Sequence, residues 1–133
     1  MVWWTLWMGC GKIQIDQQAW RMDAKEEQVL FASAEEFWLG MRWGEMTRVG
    51  KYIDDPLARA RFVSNYQTGQ YMETKVLHVE LVDQGELDTS QNIWKYGTVY
   101  IQVEKLVDGY SLQRMEETQQ WKRTANGWYV VIE

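Results

Sequence analysis

The chain has 133 residues, with 46% apolar and 25% charged side chains. That is the composition of one folded domain with a sizeable core, and it excludes a disordered chain. Fourteen basic against nineteen acidic residues give a net charge of −5, which disfavours nucleic acid and anionic lipid as partners. The only basic cluster, Lys51 with Arg59 and Arg61, reads as a solvated helix face. A single cysteine excludes an internal disulfide, and one histidine far from it excludes a structural zinc site. No metal or cofactor is expected. Nine Trp and seven Tyr against three Phe suit half-buried pockets and interfaces, or simply a small core filled with large side chains.

Residues 1–24 form an apolar opening and lead-in, and residues 25–133 form the domain. "VWWTLWMG" followed by Cys10 resembles a bacterial lipoprotein signal, which implies lipidation of Cys10, membrane anchoring there and a place in the cell envelope, facing the periplasm. It departs from that pattern in lacking a Lys or Arg ahead of a short apolar run, and in carrying Trp7 where a leucine is usual. The alternative is that Trp3, Trp4 and Trp7 pack against the domain itself, with Ile13, Ile15 and Trp20 continuing the segment, in a cytoplasmic protein. The run is too short to span a membrane.

From about Lys25 to Ile53, Leu30, Ala34, Phe37, Trp38, Met41, Val49 and Tyr52 recur at helical spacing, an amphipathic stripe facing a core. Gly44-Glu45 predicts a kink, with Glu45 near the start of the following turn. Asp55 is a good N-cap and Pro56 suits the first helical position, so a second helix runs to about Tyr66.

Strand signals follow. "YMETKVLHVELV" alternates, with Val76, His78 and Glu80 predicted on one face and Lys75, Leu77, Val79 and Leu81 on the other. "WKYGTVYIQVEKL" alternates Val99, Ile101 and Val103 with Tyr100, Gln102 and Glu104. Asp108-Gly109 predicts a two-residue hairpin into "YSLQRMEETQQWKR", and Asn126-Gly127 a second into "WYVVI". Helices first and an antiparallel meander of about four strands second make an α+β fold.

The Gly44-Glu45 break, the capped second helix and the closing Trp121-Lys122-Arg123 … Asn126-Gly127-Trp128 resemble the nuclear transport factor 2-like (cystatin-like) superfamily, over roughly Ala32 to Glu133. The resemblance implies a curved sheet wrapping a long kinked helix to leave a cone with a pocket at its open end, and a homodimer through the outer sheet face. The superfamily holds both enzymes and binding modules.

Four residues are weak catalytic candidates. Glu45 falls in the apolar arc, where a desolvated carboxylate could serve as a general base; the simpler reading turns it to solvent beyond Gly44. His78 with Glu80 on its face could be a pocket base, or a half-exposed pair on a sheet. Tyr52 stands where a ketosteroid isomerase-like enzyme of the superfamily would place an oxyanion tyrosine, but no strand aspartate completes that set: Asp83 and Asp108 fall in turns. Trp38, Met41, Tyr52, His78, Met115 and Trp121 are the expected ligand-pocket residues, with Trp43 and Met46 near them, and most such sets are core. The sequence therefore favours a non-enzymatic module that binds a small apolar ligand or serves in assembly. The alternatives are a small isomerase-like enzyme using His78 or Glu45, and a secretion-machine component of similar fold, which needs a longer membrane helix.

Overall fold

The computed structural model describes the backbone of residues 2–66, 69–82 and 93–132, and side chains from Met22 onward. Helix α1 runs from Val2 to Trp43, so the helical backbone begins well ahead of Lys25. Cys10 and Trp3, Trp4 and Trp7 lie outside the residues whose side chains are described. Gly44 ends α1 in the left-handed region at φ 70°, a conformation glycine adopts without steric cost. Helix α2, Met46–Gly50, follows with Glu45 as its N-cap. Helix α3, Pro56–Asn65, starts as predicted: Asp55 accepts a hydrogen bond from the Leu57 amide and Pro56 takes the first turn.

Four strands complete the α+β fold: β1 (Tyr71–Val82), β2 (Lys95–Val107), β3 (Ser111–Thr124) and β4 (Gly127–Val130). They form one open antiparallel sheet in the order β1-β2-β3-β4. Both hairpins differ by one residue from expectation. Asp108 and Gly109 do take positive φ (56° and 85°), but Val107 pairs Ser111, so Tyr110 joins a three-residue loop. At the second hairpin Thr124 pairs Gly127, so Ala125 and Asn126 make the turn, tied down by the Thr124 hydroxyl accepting from the Asn126 amide (3.2 Å).

The helical stripe is buried against the inner face of the sheet: Leu30, Ala34, Phe37, Trp38 and Met41 from α1 meet Val76, Val99, Ile101, Val103, Trp121, Trp128 and Val130. Phe37 makes edge-on contacts with Trp38 (5.6 Å) and Trp121 (5.7 Å), and Trp38 with Tyr71 (5.4 Å). Such pairs each add about 0.5–1.5 kcal/mol beyond the area they bury. Trp38, Trp121 and Trp128 are core. Their N–H groups are also satisfied: Gln119 Oε1 accepts from both Trp38 (3.1 Å) and Trp121 (2.8 Å). Glu26 accepts from Trp128 (2.9 Å) and from Arg123 (3.0 Å), fastening α1 to the far end of the sheet.

Candidate functional site

The pairing of β1 with β2 decides where the strand candidates point. Val76 pairs Ile101 and Val79 pairs Val99, both on the inner face, whereas His78 pairs Tyr100. A bulge between Val76 and His78 inserts Leu77 and reverses the alternation at that point. The expectation that Val76, His78 and Glu80 share a face is corrected accordingly: His78 and Glu80 stand on the outer face, opposite Val76. His78 stacks on the Tyr100 ring (4.2 Å, 12° between planes), and the Tyr100 hydroxyl donates to Glu80 (3.1 Å). His78 Nε2 lies 3.6 Å from Glu80 Oε1, and both side chains are more than half exposed.

Glu45, at the junction of α1 and α2, is exposed and pairs with Arg48 (3.3 Å). Tyr52 is turned inward against Trp121 (5.6 Å) and donates to Glu36 (2.5 Å). Burial and the Glu36 carboxylate push its pKa well above the usual phenol value, while the same bond, with Lys51 nearby, lowers that of Glu36. The four candidates thus stand at three separate places: the helix junction, the outer sheet face and the Tyr52–Glu36 contact. Of the expected pocket residues, Trp38 and Trp121 are buried in the core, Met115 packs at its margin, and Met41 lines an open cavity.

That cavity is a cleft of about 630 Å³ between α3 and the start of β1. α3, which forms one wall of the cleft, has no fully buried residue. The helix is held by Phe62 against Phe37 (6.2 Å) and by the Arg59 guanidinium on the Ile53 carbonyl (2.8 and 3.0 Å). Its lining has an apolar body, Met41, Phe62, Tyr66, Tyr71 and Ile132, and polar groups from Asp55, Arg61, Asn65 and Gln70. The Tyr66 hydroxyl donates to the Met41 carbonyl. Burial raises the Tyr66 pKa, and burial with the Glu117 carboxylate pushes Tyr71 up to about 12, so both phenols stay protonated donors near neutral pH. Asp55 is engaged as the α3 cap. Arg61 makes no ion pair among the described residues, which leaves its charge available to a ligand.

Sequence reasoning assigned Met41 alone of these to a ligand pocket; it took Asp55 as a helix cap and Arg61 as part of a solvated basic face. Phe62, Tyr66 and Tyr71 lie in three different contexts, the middle of α3, its C-cap and the first position of β1. No spacing rule joins them before the chain is folded.

Compared with the known protein families and with curated proteins, the chain matches none. Among the described residues no helix is long and apolar enough to cross a membrane, and no group of three His, Cys, Asp or Glu side chains is gathered that could hold a metal ion.

Proposed function

We propose that the domain is a non-enzymatic binding module, a cone of the nuclear transport factor 2-like kind. In this reading the α3–β1 cleft takes a small ligand with an apolar or aromatic body and one anionic group. The observation that carries it is the cleft's division of labour: Met41, Phe62, Tyr66 and Tyr71 supply an apolar wall, and Arg61 supplies a cation with no partner among the described residues. Ligand sites are typically built this way, largely apolar with a few polar groups that fix orientation. An isomerase-like enzyme is the weaker reading, because a general base and an oxyanion donor must converge on one cavity. Glu45, His78, Glu80 and Tyr52 stand at separate places, and none of them lines the cleft.

The test uses 1-anilinonaphthalene-8-sulfonate, whose naphthyl body and sulfonate match that description. The folded wild-type protein is expected to bind it saturably with one site per chain. Arg61→Glu should weaken binding at least tenfold and Phe62→Asp should abolish it, with circular dichroism unchanged in the first variant. Absence of saturable binding, or binding indifferent to Arg61→Glu, would sink the reading.

A further inference from the structure

The two edges of the sheet are built differently. At the β1 edge the strand carries two irregularities, between Tyr71 and Glu73 and between Val76 and His78, and α1 lies along it, with the Thr74 hydroxyl on the Trp38 carbonyl (3.2 Å). Bulges and a covering helix are standard protections of a sheet edge. The other edge is shared between two strands. β4 covers β3 only from Trp121 to Thr124, with one further bond from the Val131 amide to the Gln120 carbonyl (2.9 Å). From Ser111 to Gln119, β3 pairs with β2 in unbroken register, and among the described residues no other element packs against its outer side. This stretch has no bulge and no proline.

Which backbone groups point outward follows from two bonds. Gln120 presents its carbonyl to Val131 on the β4 side. The Leu106 amide bonds Gln70 on the β1 side, so Lys105 and the odd-numbered residues of β2 point toward β3. Groups alternate along an antiparallel strand, so Leu112, Arg114, Glu116 and Thr118 direct their N–H and C=O groups to the open edge.

We propose that this edge is a homodimer interface, in which residues 111–119 of two copies pair antiparallel about Met115 and join the two sheets into one. Side-chain charge selects that register. With Met115 facing its own copy, Arg114 stands opposite Glu116 of the other chain and Glu116 opposite its Arg114, while Leu112 stands opposite Thr118. All of these are residues whose backbone groups face outward, so the hydrogen-bond ladder and the ion pairs agree. Sliding the pairing by two residues one way puts Arg114 against Arg114, and the other way Glu116 against Glu116, and like charges directly opposite are destabilising. The arrangement is self-complementary, as a two-fold interface requires. Arg114 is already held by Glu104 on β2 (2.6 Å), which orders its side chain on the outer face before any partner arrives. This interface differs from one through the outer sheet face and does not depend on the cleft.

Sedimentation equilibrium of the full chain is expected to show a monomer–dimer equilibrium. Glu116→Arg, which sets Arg against Arg in the preferred register, should weaken it at least tenfold, and adding Arg114→Glu should restore it. Thr118→Pro removes an outward N–H that no intrachain bond needs, so it should give a monomer with near-unchanged melting temperature. In a Cys10→Ser background, Met115→Cys should form a disulfide-linked dimer on mild oxidation, and Gln119→Cys should not. A wild type that stays monomeric at every concentration overturns the proposal. So does a dimer indifferent to both Glu116→Arg and Thr118→Pro, which would assign the contact to another surface.

Discussion

The two faces of the sheet use the same strands for opposite purposes. On the inner face Val99, Ile101, Val103 and Trp121 are wholly buried beneath α1. On the outer face the alternate residues of the same strands, such as Glu104 with Arg114 and Glu80 with Tyr100, form exposed polar contacts. The inner face contributes stability through area removed from water and packing at crystal-like density. Exposed ion pairs such as those outside contribute at most about 1 kcal/mol each. Substitutions should therefore separate by face, and the sharpest one removes the largest fully buried side chain.

Trp121→Ala should cost about 3–5 kcal/mol, the usual range for an aromatic deleted from a core. It removes the ring packed on Phe37 and Tyr52 and one of the two donors to Gln119 Oε1. Urea unfolding followed by circular dichroism measures it. A loss below 1 kcal/mol would mean that the inner face is not the source of stability.

Much of that inner face was legible beforehand. The stripe from Leu30 to Met41 has helical period, and Val99, Ile101 and Val103 have strand period, so each declares a face without reference to anything distant. The Asp55-Pro56 start of α3 is equally local. Three features were not local and were missed. The bulge at Leu77 depends on how β1 meets β2, and it separates His78 and Glu80 from Val76, with which the alternation had grouped them, leaving them a half-exposed pair on the outer face. The turn residues at Tyr110 and Ala125 depend on strand register rather than on which residues favour positive φ. The cleft is a space left where α3 stands off its neighbours, and its walls come from α1, α3, β1 and the C-terminal segment. Period reports which way a side chain points; it does not report where packing leaves a gap.

A smaller effect on the same face comes from adding one methyl group. Gly97, on β2, lies beneath α1, and a Cβ there would sit 2.4 Å from Leu30 Cδ2. Leu30 is wholly buried, so it has no open space to move into. Gly97→Ala should cost about 1–3 kcal/mol through overpacking. The cause can be isolated by pairing it with Leu30→Ala. If the clash is the reason, the double variant is more stable than the sum of the two single losses predicts, a non-additivity expected of residues in contact. Strict additivity would place the cost elsewhere, in the backbone of β2.

The smallest effect compares one tyrosine from each face. Tyr71 faces inward, against Trp38, and its pKa is pushed up to about 12 by burial and by the Glu117 carboxylate. An unfolded chain releases that proton near pH 10, so between about pH 10 and 12 the folded state binds more protons than the unfolded one. The stabilisation is complete below pH 10 and is lost as pH rises through the folded value, on the order of 1 kcal/mol by linkage. Tyr71→Phe should therefore flatten the alkaline fall in stability. Tyr100, on the outer face, is also raised, chiefly by its hydrogen bond to Glu80, but there water replaces that bond when it breaks. Tyr100→Phe should change the alkaline slope less than Tyr71→Phe does. Unfolding free energies for the three proteins at pH 8 and at pH 11 decide it. A larger change from Tyr100→Phe would mean that the outer face is more sheltered than its exposed side chains indicate, as it would be if a second surface covered it in solution.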